Sequence, residues 1–131
     1  MLKKQKKFYK YKKNITFHNL ALGSSICSKE FLITSRMDSS SFLKVVSNTN
    51  KSKNYSVIEK RDIKVSTLDE IFLNEKFSHP ILIKMDVQGY ELHVLKGSEK
   101  TLETVDYVMS EVNFSELYEG CSKFNDISEF L

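Results

Sequence analysis

With 131 residues the chain is one domain or part of one, long enough for a modest core. Its 40% apolar and 28% charged content is ordinary for a soluble globular protein, and no run approaches the roughly twenty apolar residues a membrane helix needs. The net charge of +3 divides into +7 over residues 1–13, which hold seven lysines and no acid, and −4 over a mildly acidic remainder.

The first segment, Leu2 to Lys12, reads as a helix with Leu2, Phe8, Tyr9 and Tyr11 on one face and lysines on the other. No apolar stretch follows it, so it is not a secretory signal. No aromatic and basic groove follows either, so nucleic acid is not expected as a partner, nor is a membrane. Ile15 to Asn19 alternates apolar and polar residues and reads as a strand, turned at Gly23 after Leu20-Ala21-Leu22. Glu30 to Ile33 is a second strand. Asp38 to Ser41 followed by Phe42 to Val46 reads as a capped helical turn or an apolar plug, and Ser47 to Asn54 as a loop. Tyr55 to Val65 is strand-like around the charged centre Glu59-Lys60-Arg61-Asp62, as two strands and a turn or as one long edge strand. Thr67 and Glu70 fit a capping box that starts a helix with Leu68, Ile71 and Phe72 inward. Cys27 and Cys121 lie far apart without CxxC spacing or a histidine partner, which suits two reduced thiols in a cytoplasmic protein.

The most informative stretch is Ile81 to Lys96, ILIKMDVQGYELHVLK, followed by Gly97. A short apolar strand ends at Asp86, and Gly89 opens a helical pattern with Tyr90, Val94 and Leu95 on the packing face. Open α/β sheets bind ligands at the carboxyl ends of their strands, so Asp86 and Glu91 are site candidates rather than core. Ser98 is the expected cap of a short helix through Leu102. Tyr107 to Val112 is another strand ending in an acid, Glu111, and Phe124 to Leu131 begins a helix. Strand alternating with helix predicts an α/β fold with parallel strands.

The ordered blocks NLALG (Asn19 to Gly23), STLDE (Ser66 to Glu70), LIKMDVQGYELHVLKG (Leu82 to Gly97) and SEVNFSELYEG (Ser110 to Gly120) resemble the FkbM family of S-adenosylmethionine-dependent methyltransferases. The match runs from about Asn14 to Leu131. The resemblance implies a Rossmann-like class I methyltransferase fold with a mostly parallel sheet, S-adenosyl-L-methionine as cofactor, and a hydroxyl on a sugar, polysaccharide or natural product as acceptor. The family's glycine-rich loop and the acid that holds the ribose hydroxyls have no counterpart here. The chain therefore reads as one partial methyltransferase domain over 1–131: a basic helix at 1–13, a strand and variable substrate-side region at 14–65, and core strands and helices at 66–131.

The resemblance places Ala21, Leu22, Asp86 and Val87 at the cofactor. Asp86 and Glu91 are the candidate catalytic groups, and Glu111 and Asn113 the substrate-side ones. Each has a plain alternative. Asp86 can cap the following helix, Glu91 can answer the helix macrodipole, and Ala21 with Leu22 can be an apolar turn. His93 is expected to be exposed and Lys84 to snorkel. Gly89 would let the backbone approach a ligand. Three carboxylates on separate elements do not make a metal site, and none is expected. The competing reading is a non-catalytic remnant whose uncovered strand edges favour self-association.

Overall fold

A computed structural model describes residues 14–46 and 55–131; the expected basic helix and the loop from Ser47 to Asn54 lie outside the described residues. Strands β1 (Ala21–Leu22), β2 (Cys27–Thr34) and β3 (Val57–Ser66) form one sheet in the order β1-β3-β2. The charged centre of β3 does not break it into two strands. Glu59 to Asp62 point to water on a hairpin whose cross-strand pairs hold them, Lys60 reaching Glu30 at 2.8 Å. Ile63 and Val65 are the more buried residues of this strand, while the buried residues of β2, Leu32 and Thr34, lie toward the other end of the ladder, opposite Lys60 and Val57. The expected Ile15 to Asn19 strand makes no ladder; pairing starts at Ala21, inside the segment expected to turn. Ala21 and Leu22 run parallel to Val65 and Ser66, and the Gly23 amide extends the ladder to the Ser66 carbonyl at 2.9 Å.

Strands β4 (Leu82–Met85) and β5 (Tyr107–Ser110) make a second, parallel pair, Leu82 opposite Tyr107 and Met85 opposite Ser110. The crossover between them carries α2 (Glu91–Lys96) and α3 (Glu99–Leu102); α1 (Leu68–Leu73) precedes β4 and α4 (Phe124–Phe130) ends the chain. The architecture is mixed α/β. The sheet expected to be mostly parallel is two sheets among the described residues, and the longest pairing, β2 with β3, is antiparallel.

Tyr90, Val94 and Leu95, spaced to share one helix face, are buried with Met85 and Ile127 in the core. Val94 and Leu95 are 1% and 0% exposed, so each contributes about 1.5–3 kcal/mol by leaving water. Phe42 and Leu43 pack on the same cluster, after a single 3-10 turn at Met37–Ser39, so this stretch is the apolar plug rather than a helix.

Gly97 explains why two glycines recur in the chain's motifs. A Cβ on Gly97 would lie 2.0 Å from the Gly23 carbonyl oxygen, so the end of α2 presses backbone to backbone on the end of β1. The Gly97 carbonyl accepts from the Asp69 amide at 3.1 Å, which ties α1 to the same seam. Of the expected capping box the Thr67 half is present, its hydroxyl accepting from the Glu70 amide at 3.1 Å. Ser98 stands at the N-cap of α3 as expected but makes no side-chain cap bond; its hydroxyl donates back to the Val94 carbonyl. Asp69 takes that task from α1, accepting from the Lys100 and Thr101 amides at 3.3 and 2.8 Å and from the Thr101 hydroxyl at 2.7 Å.

Candidate functional site

Because β4 and β5 are parallel and in register, they deliver the residues that follow them to one edge. Asp86 follows Met85 and Glu111 follows Ser110, so two acids from different strands arrive side by side. Between them sits Gln88, in the left-handed region at φ 54°. Its amide nitrogen donates to Asp86 Oδ1 at 2.7 Å and lies 3.5 Å from Glu111 Oε2. Its amide oxygen accepts from the Tyr118 hydroxyl at 3.0 Å, and its backbone carbonyl accepts from the Ser41 hydroxyl at 2.9 Å.

Two hollows open near this edge, one reaching Asp86 and Val87 and the other lined by Gln88 itself. The larger, about 590 Å³, is lined by Leu22, Phe72, Phe77, Met85, Val87 and Asp86. The smaller, about 110 Å³, is lined by Gln88, Glu111, Asn113, Tyr55, Leu117 and Tyr118. Leu22, Asp86 and Val87 therefore share one hollow, and Glu111 and Asn113 share the other. Ala21, one residue before Leu22, is not part of either lining. Asp86 does not cap α2, whose N-cap is Tyr90; its side chain is 55% exposed at the rim, with Lys84 4.0 Å away.

Glu91, expected beside the cleft, is wholly buried beneath it. Its Oε1 accepts from the Gly89 amide at 3.1 Å, bracing the turn that presents Gln88, while Oε2 is buried without a hydrogen-bond partner. Gly89, at φ 91°, does not clear space for a ligand: a Cβ there would meet Cys121 Cβ at 2.7 Å, so the approach it permits is to Cys121. His93 is not exposed. Its ring stacks on Tyr90 at 4.0 Å between centroids, and burial with the charges of Lys29 and Lys96 lowers its pKa.

The electrostatics of the rim are uneven. Burial, then the negative charges of Asp86 and Glu91, raise the Glu111 carboxyl above its ordinary value, with Lys84 opposing. Burial is also the main cause that pushes the Tyr118 phenol up to about 12, with the hydrogen bond to Ser39 opposing it. Tyr118 thus keeps its proton and serves as a fixed donor, shared between the Ser39 carbonyl at 3.2 Å and Gln88. Gln88 and Tyr118 stand inside the quoted motif blocks, yet neither signals its role by residue type. What marks Gln88 is its left-handed turn, and what marks Tyr118 is its hydrogen bond to Gln88 across 30 residues, and no sequence period reveals either. No group of three His, Cys, Asp or Glu side chains among the described residues is arranged to hold a metal ion.

Residues 3–131 match the methyltransferase FkbM domain family. The chain belongs to this family. Among curated proteins, the FkbM chain is similar to the hexuronic acid methyltransferase AglP of Haloferax volcanii, with 37% identity over 51 residues. That match covers 39% of this chain and 21% of the relative, so the chain spans about a fifth of the relative's length. No solved structure matches this FkbM domain.

Proposed function

We propose that this FkbM chain takes part in methyl transfer from S-adenosylmethionine to a hydroxyl of a sugar or related glycan, with donor and acceptor in the two hollows. The observation that carries this reading is the division of the rim: Asp86 lies with Leu22 and Val87 in one hollow, Glu111 with Asn113 in the other. The larger hollow suits the donor's chemistry. Leu22, Val87, Phe72 and Phe77 offer apolar surface to an adenine, and Asp86 sets a carboxylate at the rim for a cationic or hydroxyl-bearing part. Ala21, outside the lining, supports the neighbouring Leu22 rather than touching the donor. The sulfonium supplies an activated methyl group; everything else is positioning and a base.

In the smaller pocket, Asn113, Tyr55 and Tyr118 give hydrogen-bond partners and ring surface to a hydroxylated acceptor, and Glu111 is the proton acceptor. As the hydroxyl oxygen forms its bond to the methyl carbon, the sulfur–carbon bond breaks and sulfur keeps the electron pair. The hydroxyl proton passes to Glu111. A raised carboxyl pKa serves a general base better than an ordinary one. Glu91, buried under Gly89, is a brace rather than a reacting group. The Rossmann-like reading of the fold is supported by the parallel β4–β5 pair joined through helices, with the β2–β3 hairpin as an addition to it. A cytoplasmic setting is supported by the two free cysteines, Cys27 and Cys121.

Calorimetry with S-adenosylmethionine tests the reading directly. Binding is expected to weaken about tenfold, or about 1.4 kcal/mol, in Asp86→Asn. A folded wild-type sample giving no heat would end it.

The non-catalytic alternative, a self-associating module, draws support from one feature. In the described residues β4 pairs only with β5, and Leu82, Tyr107 and Met109 are 58%, 64% and 57% exposed. An open edge flanked by apolar side chains invites pairing with a second copy. A monomer by light scattering at 100 μM-order concentrations, roughly where weak edge pairing becomes visible, removes this alternative.

A further inference from the structure

We propose that Gln88 is a positioning residue that assigns two neighbouring carboxylates to different tasks, tying Asp86 to the rim of the larger hollow and leaving Glu111 as the proton acceptor of the smaller one. This deepens the methyl-transfer reading and rests on it for the meaning of the two tasks, though not for the geometry.

The argument begins with amide polarity. A glutamine amide has an accepting end and a donating end, and its neighbours decide which way it lies. Tyr118, whose phenol holds its proton, donates to Oε1 at 3.0 Å. Nε2 is therefore turned to the carboxylates, 2.7 Å from Asp86 and 3.5 Å from Glu111. The reversed amide would set its oxygen against Asp86, acceptor against acceptor. The main chain is fixed as well. Gln88 holds a left-handed conformation that non-glycine residues enter at a cost of about 1 kcal/mol or more. Two contacts hold it there: the nearly inaccessible Ser41 hydroxyl on its carbonyl, and Glu91 on the following amide of Gly89.

The result is unequal support for two like charges. Asp86 receives the short bond, while Glu111 receives at best a marginal one and faces Asp86 and Glu91, with Lys84 as the opposing cation. When neighbouring carboxylates compete for one proton, the better-solvated or better-bonded one keeps its charge. Gln88 supplies that asymmetry, and Tyr118 supplies the direction of Gln88.

The test uses the full chain. Carboxyl-carbon NMR follows the titration of Glu111 in wild type, Gln88→Met and Tyr118→Phe, without any ligand. Loss of the amide removes the asymmetry and is expected to bring the Glu111 midpoint down toward its ordinary value, and Tyr118→Phe to move it in the same direction by less. Calorimetry on the same samples is expected to keep S-adenosylmethionine affinity within threefold. With a neutral hexopyranoside as acceptor probe, kcat is expected to fall 10- to 100-fold with KM for the donor nearly unchanged, and its pH profile to shift downward with the base. A Glu111 midpoint equal in all three proteins overturns the proposal, as does a loss confined to KM for the donor. Absence of donor binding by wild type would sink the functional reading alone, because the NMR comparison still decides the role of Gln88. Should Gln88→Met fail to fold, Tyr118→Phe leaves the left-handed turn untouched and carries the test.

Discussion

Two carboxylate sites in this chain are treated in opposite ways. At the seam between α1 and α3, burial works against ionisation of Asp69, yet the Thr101 hydroxyl and the Thr101 and Lys100 amides outweigh it and hold the carboxyl below its ordinary value. At the carboxyl edge of β4 and β5, burial also works against Glu111, but the nearest charges, Asp86 and Glu91, are of the same sign, and the carboxyl lies above its ordinary value. The difference is a count of donors. An acid that is fully bonded is part of the scaffold, and one that is kept short of donors beside a cavity is available for chemistry. Asp69 is of the first kind, and Glu111 has the shortage of donors and the neighbouring cavity of the second.

The sharpest way to break that comparison is at the glycine seam itself, because the Gly97 carbonyl binds the backbone amide of the same Asp69 that caps α3. Gly97→Ala drives a methyl group into the Gly23 carbonyl, 2.0 Å from where its Cβ must sit. A loss of about 3 kcal/mol is expected, at the upper end for an overpacked site, read from urea unfolding. A change under about 1 kcal/mol would mean that the seam yields, and that the α3 cap does not depend on it.

Next in size is Asp69→Ala, which removes the cap and leaves the start of α3 without acceptors. A loss of about 1–2 kcal/mol at pH 7 is expected, with Asp69→Asn losing less because an amide oxygen still accepts. The sign with pH follows from the lowered pKa. The stabilisation is present above the unfolded value near 3.8 and fades as pH falls through the folded one, so wild type and Asp69→Ala should converge in acid. A difference that persists unchanged at low pH would show that packing, not the ionised cap, was lost.

How much of this was legible in the residues depends on range. The β4 strand, its acid, the α2 packing face of Tyr90, Val94 and Leu95, and the Thr67 cap are local, and period and residue type reveal them. That Asp86 and Glu111 arrive at one edge was readable, because parallel strands deliver their ends together, but the reading gave them one cleft and not two hollows. Three things were not readable, each for a long-range reason. Ser98 holds the cap position, but an acid 29 residues upstream supplies the capping bonds. Glu91 looks like a site acid, but α2 turns it inward under Gly89. Ile15 to Asn19 alternates like a strand, but strand pairing needs a partner, and β3 meets the chain only at Ala21.

The smallest effect expected is also the one of opposite sign. A carboxyl whose folded pKa is raised contributes stability only below its unfolded value, near 4.5, and loses it as pH rises through the folded value. At pH 7 an ionised Glu111 therefore weighs against the fold, and Glu111→Gln should leave stability unchanged or raise it by no more than about 0.5 kcal/mol, since solvent screens so exposed a group. The gap should close below about pH 4, where wild type is itself neutral at this position. Paired urea titrations of the two proteins at neutral and acid pH resolve the sign. If Glu111→Gln were instead destabilising at pH 7, the carboxylate would be a bonded scaffold acid like Asp69, and the contrast between the two sites would fail.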